Sequence, residues 1–189
     1  MPGPTEDDPG DPESVARGLC LRALTGTPKT RQQLAELLAR HGIPDNAATT
    51  VLDRFTEVGL IDDAAYARAW VSSRQAGRGL ARRALSAELR AKGIDAEVAA
   101  EAVELVDDDD ERTAARRLVQ RRLAGMHRLD RATATRRLIG MLARKGYSGG
   151  LAAAVVREAL DALPEEGRAD GLDDGSVDGL GFDEDSLLP

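Results

Sequence analysis

Two histidines, His41 and His127, one cysteine, Cys20, and the pair Ser72 and Ser73 are the residues of this 189-residue chain that first invite a catalytic or metal-binding reading. A zinc-type site needs several N, S or O ligands at short spacing, and neither histidine has Asp, Glu or Cys so arranged. A lone thiol closes no intrachain disulfide and builds no cysteine metal site. With Val15, Leu19 and Leu24 at helical spacing around it, Cys20 reads as a small core residue. Ser72 and Ser73 have no partnered base, and the GRG at 77–79 lacks both the strand and the length of a phosphate-cradling loop. The chain is therefore not expected to be an enzyme, and no cofactor or metal is expected.

Arginine offers different chemistry, the binding of anions. Residues 112–145 hold eleven bases against the single acid Asp130, and residues 68–92 hold seven bases against Glu88 alone. On the stretch 131–145, Leu138, Ile139, Met141 and Leu142 share one helical arc while Arg136, Arg137 and Arg144 share the opposite one. Arg117 and Arg121 likewise lie away from Leu118, Val119 and Leu123. A solvated helix face usually mixes both signs, and this one does not. Such a surface suits phosphate or an acidic protein groove. The partner-binding residues singled out are Arg68, Arg74, Arg82, Arg83, Arg90, Lys92, Arg117, Arg121, Arg136, Arg137, Arg144 and Lys145. Of only five aromatic residues, Phe55, Tyr66 and Trp70 fall at apolar helix positions, so base stacking is not expected to be the main mode. Tyr66 and Trp70, one turn apart, are read as core.

The formal charge of −7 conceals this basic body. Residues 1–13 carry five acids and no base, and residues 161–189 carry ten acids against Arg168. Between them, residues 14–160 hold 25 Lys and Arg against 18 Asp and Glu. Both ends are rich in Pro, Gly and acid and too poor in apolar residues to offset chain entropy, so 1–13 and 164–189 are expected to be disordered acidic tails. No basic region followed by an apolar stretch opens the chain, and no apolar run reaches the roughly 18 residues needed to span a bilayer. A soluble, cytoplasmic protein with no membrane association is expected.

The elements that must carry the basic residues are marked by a recurring hexapeptide: LARHGI at 38–43, LRAKGI at 89–94 and LARKGY at 142–147. If each glycine stands just past a helix in the left-handed conformation, Leu38, Leu89 and Leu142 meet Ile43, Ile94 and Tyr147 in Schellman caps. Upstream of each cap runs an amphipathic helix with leucines spaced i, i+4: Leu34/Leu38, Leu85/Leu89 and Leu138/Leu142. Thr30 with Gln33 forms a capping box. Downstream come expected N-caps Asp45, Asp95 and Ser148, each followed by a helix, and a further helix precedes each pair. The run DDDDE at 107–111 reads as a solvated junction whose acids end the sixth helix near Val106 and favour the start of the seventh. The expected fold is all-α: three tandem three-helix repeats, at 14–60, 61–107 and 108–163, forming an elongated, curved helical array.

The stretch LIDDAAYARAWVSSRQAGRGLARRALSAELRAKGI resembles the most recognisable segment of RecX regulatory proteins. The resemblance rests on Asp62, Asp63, Tyr66, Ala67, Trp70, Val71, Arg74, Gly77 or Gly79, Arg82, Leu85, Glu88, Leu89, Lys92, Gly93 and Ile94, and runs from about residue 14 to 163. It implies a non-enzymatic modulator that lodges along the groove of the RecA filament on single-stranded DNA and inhibits strand exchange, ATPase and coprotease activities, thereby modulating DNA repair. The RecA filament would be the partner, with weak non-specific DNA contact and a monomeric regulator. The first repeat also reads like a helix-turn-helix of a winged repressor, with Asn46, Thr49 and Thr50 on the recognition helix, although no base lies in residues 42–53 and no hairpin pattern comes after it. The acidic C-terminal tail is expected to fold back on the basic face.

Overall fold

The computed structural model describes residues 10–163, and these contain nine helices and no strand. In chain order they are α1 (Pro12–Gly26), α2 (Arg31–Arg40), α3 (Asp45–Glu57), α4 (Asp63–Arg78), α5 (Arg82–Ala91), α6 (Ala96–Glu104), α7 (Asp108–Leu123), α8 (Arg131–Arg144) and α9 (Gly149–Asp161). Every helix pair with substantial packing lies within one three-helix unit. Each unit accordingly has its own apolar cluster: Cys20, Leu34, Leu38 and Phe55 in the first, Val71, Leu85, Leu89 and Ala99 in the second, Leu138, Leu142, Tyr147 and Val155 in the third. The paired leucines of α2, α5 and α8 are fully buried, so each contributes roughly 2 kcal/mol by leaving water. Burial also pushes the Cys20 thiol pKa up, as suits a core residue.

The three hexapeptides form the expected caps. Ile43, Ile94 and Tyr147 donate their N–H groups to the carbonyls of Leu38, Leu89 and Leu142, each at 3.1 Å. Gly42, Gly93 and Gly146 have φ of 71°, 76° and 89°, the region that an L side chain enters at a cost. Two of these glycines have a second duty. A Cβ on Gly93 would stand 2.2 Å from Cβ of Gln32, and one on Gly146 would stand 2.7 Å from both the N and Cβ of Ala84. Gly42 has nothing within 4 Å.

That difference locates the joints between units. The N-terminal end of each of the first two middle helices stands against the C-terminal end of the middle helix of the following unit. The Thr30 hydroxyl donates to the Lys92 carbonyl at 2.8 Å, and the Ala81 N–H donates to the Lys145 carbonyl at 3.0 Å. Opposite ends of the helix dipoles thus meet at both joints. An acid from the first helix of the following unit completes each one: Asp63 accepts the Arg31 N–H and Glu111 accepts the Arg82 N–H, both at 2.9 Å. Ala81 has no side chain with which to cap α5, so Glu111 supplies what Thr30, in its capping box with Gln33, provides locally for α2. The second joint is the richer. Tyr147 OH donates to the Gly79 carbonyl at 3.0 Å, Lys145 Nζ donates to the Arg78 carbonyl at 2.8 Å, and the Arg82 guanidinium binds Asp108 and Glu111.

The structure departs from several sequence expectations. α1 starts at Pro12, inside the segment 1–13 assigned to the tail, because Asp11 accepts the Ser14 N–H and proline suits the first turn. Pro44, not Asp45, is the N-cap of α3, and it makes no side-chain bond. Gly79 ends α4 in the left-handed conformation, and α5 starts at Arg82. The acidic run is more than a solvated junction: Asp107 caps α7, and Asp108 and Glu111 hold the second joint. Tyr66 and Trp70 are half-buried against the second cluster. The C-terminal tail lies outside the described residues.

Candidate partner-binding surface

A strip of cations can be traced residue by residue across the second and third units. It begins at Trp70, where Lys92 Nζ lies 4.0 Å and Arg74 Cζ 4.1 Å from the ring centroid, close enough for cation–π attraction. Tyr66 stacks near-parallel at 6.1 Å, and the indole N–H donates to Glu88 at 2.9 Å. Glu88 also faces Arg74 at 3.6 Å and Arg78 at 3.7 Å, so one carboxylate serves two arginines and the indole. The Arg74 Nε is buried without a hydrogen-bond partner. With its ring engaged on these contacts, Trp70 is a support for the cations.

From Arg78 the strip crosses the second joint. Lys145, held on the Arg78 carbonyl, has its pKa lowered by burial and then by the like charges of Arg78 and Arg121. Three cations are therefore crowded where an incoming anion would relieve their repulsion. Arg121 is next in the chain to Arg122, which lines a cleft of about 240 Å³ between α7 and α8 together with His127, Arg128 and Arg137.

The twelve residues singled out from the sequence do not share one role. Arg82 is engaged in the joint. Burial works against its charge, but the hydrogen bond to Asp108 and the fields of Glu111 and Asp108 prevail and raise its pKa. Arg74 and Lys92 are half-buried around Trp70, and Lys145 is half-buried beside Arg78. Arg68, Arg83, Arg90, Arg117, Arg121, Arg136, Arg137 and Arg144 are exposed, and none forms an ion pair with a carboxylate among the described residues. Arg112 and Arg116, by contrast, both bind Glu158, whose pKa is lowered first by the Arg116 hydrogen bond. Sequence reasoning counted Arg78, Arg122 and Arg128 among the bases without singling them out. Their position beside the glycine caps and loop was the available signal.

Three tandem three-helix units, the second and third rich in exposed arginines, define an all-α helical-repeat protein. Family models described as the first, second and third three-helix domains of RecX match residues 16–55, 62–103 and 109–156 in that order. The chain belongs to the RecX family. It is 56% identical over 160 residues to the "Regulatory protein RecX" of Streptomyces coelicolor, covering 85% of each chain. It is 52% identical over 167 residues to that of Thermobifida fusca, covering 84% of this chain and 90% of the relative. The crystal structure of RecX from Lactobacillus salivarius matches with a TM-score of 0.75 at 20% identity, over 81% of this chain and 99% of that one, which is a likeness of fold. The winged-repressor alternative fails on the fold, since the described residues after α3 continue into the helix α4 and contain no strand to form a wing.

Proposed function

We propose that this chain binds the RecA nucleoprotein filament and, without catalysing a reaction, restrains its strand exchange, ATP hydrolysis and coprotease activities, thereby tempering DNA repair. The observation that carries the proposal is the set of eight exposed arginines of the second and third units that form no ion pair with a carboxylate among the described residues. Family membership supports the RecA filament as the partner, and the exposed arginines are suited to holding it. Acidic groove walls and the phosphates of the enclosed strand both complement it. Three units in line suit a helical groove, since a curved array lets successive units meet successive protomers.

The regulator acts as a cytoplasmic monomer. At the third unit the relation that forms the joints is interrupted: α8 starts seven residues before Leu138, whereas α2 and α5 start three residues before Leu34 and Leu85. The N-terminal end of α8 therefore does not repeat the ends that Thr30 and Ala81 present at the two joints, which favours a single array over end-to-end growth. The described residues contain no helix long and apolar enough to cross a membrane. Strand exchange and ATP hydrolysis by RecA on single-stranded DNA, with substoichiometric protein added, test the proposal. Inhibition of both is expected. Undiminished rates, together with tight binding to one duplex sequence, would overturn it.

A further inference from the structure

The cleft between α7 and α8 is lined by charges of a single sign, unlike the pocket between α1 and α2, where Glu36 stands with Lys29 and Arg40. Arg122, Arg128, Arg137 and His127 line it over a floor of Met126 and Leu129, and no carboxylate contributes. The nearest acid in the chain, Asp130, is turned to the start of α8, where it accepts the Thr133 N–H at 2.8 Å and has its pKa lowered by that contact. None of the three arginines meets a carboxylate among the described residues.

The C-terminal end of α9 is fixed close by. Arg131, two residues after Leu129 of the cleft floor, binds the Asp161 carboxylate and donates to the Leu160 carbonyl at 3.3 Å. The chain therefore leaves its last described turn against the start of α8, between the cleft residues Leu129 and Arg137 in sequence. It continues with residues 164–189, which hold nine acids against Arg168, beginning with Glu165 and Glu166. At about 3.3 Å per residue, the first ten residues of this segment alone can reach roughly 30 Å.

We infer that residues 164–189 are an intramolecular ligand of the Arg122–Arg128–Arg137 cleft and compete there with polyanionic partners. A tether of this length holds the acids at an effective concentration on the order of millimolar, so an attraction too weak to matter between separate molecules keeps the cleft occupied. Because the contact is between exposed charges, salt weakens it. The occupant is set by charge and by the point where the chain leaves α9, independently of any action on RecA.

The test uses the full chain, ¹⁵N-labelled, beside a full-length variant in which those nine acids are replaced by Asn and Gln. At about 50 mM salt the amide signals of Gly125, His127 and Leu129 and the Nε–H signals of the three arginines should differ between the two chains, and at about 1 M they should coincide. The triple substitution Arg122→Gln, Arg128→Gln, Arg137→Gln should abolish the tail-dependent differences at the amides. A single-stranded oligothymidine of about 20 nucleotides should bind the neutral-tail chain about fivefold more tightly, and only while the three arginines are present. Superimposable low-salt spectra, or differences centred instead on Arg78, Arg121 and Lys145, would overturn the assignment of the cleft. Equal oligonucleotide affinity of the two chains would overturn the competition.

Discussion

Replacing Gly146 by alanine should open the joint between the second and third units, and the same change at Gly42 should not. Both glycines have positive φ, 89° and 71°, so both substitutions carry a conformational cost of about 1–2 kcal/mol. At Gly42 that is the whole effect, because the added methyl meets nothing within 4 Å. At Gly146 the methyl would come within 2.7 Å of the backbone N of Ala84, and backbone cannot turn aside. Separating the two helix ends would loosen the Ala81 to Lys145 bond, the Tyr147 to Gly79 bond and the Lys145 to Arg78 bond. At about 1 kcal/mol net for each, the further loss is about 3 kcal/mol. Urea unfolding monitored by circular dichroism should then give a destabilisation near 4–5 kcal/mol for Gly146→Ala and near 1–2 kcal/mol for Gly42→Ala. Equal destabilisation by the two substitutions would refute the reasoning, since it would mean that the close approach at Gly146 carries no energy.

Tyr147→Phe leaves the buried Gly79 carbonyl without its donor and should cost about 1–3 kcal/mol at neutral pH by the same unfolding assay. Burial, with a smaller contribution from Glu111, pushes the Tyr147 pKa up to about 12, so the fold favours the neutral phenol. The corresponding stability is fully present below the ordinary tyrosine pKa of about 10 and is lost as pH rises toward 12, so the margin of the native chain over Tyr147→Phe should shrink by about 1 kcal/mol between pH 10 and 11. Glu111→Ala should cost about 1–2 kcal/mol in urea unfolding, because it uncaps α5 and releases the Arg82 guanidinium, while Glu111→Gln, which keeps an acceptor for the Arg82 N–H, should cost less.

Local signals were legible in the sequence, and signals that join distant residues were not. The leucine, base, glycine and apolar residue of each hexapeptide registered three units, and all three caps form as that registration required. Asp95 and Ser148 cap their helices as expected, whereas at Asp45 the preceding proline displaced the cap by one residue. Composition drew the N-terminal boundary too late because Asp11, Pro12 and Glu13 read as an acidic tail in a window, yet in order they are a cap and a first turn. Arg82 and Arg83 are adjacent bases that no periodicity separates. The approach of Asp108 and Glu111, distant in the chain, binds the first into the joint while the second stays exposed. The cleft is a similar case, since Arg122, Arg128 and Arg137 converge only once α7 and α8 are packed.

The most direct test of the central claim reverses the charge of Arg136, Arg137 and Arg144 together by substitution with glutamate. All three are exposed and make no ion pair among the described residues, so the thermal midpoint should stay within a few degrees of the native chain. At about 0.1 M salt, the concentration giving half-inhibition of RecA strand exchange should rise at least about tenfold, since attraction across the contact becomes repulsion. Inhibition at the native concentration by a folded variant would contradict the assignment of the basic strip as the surface that holds the filament.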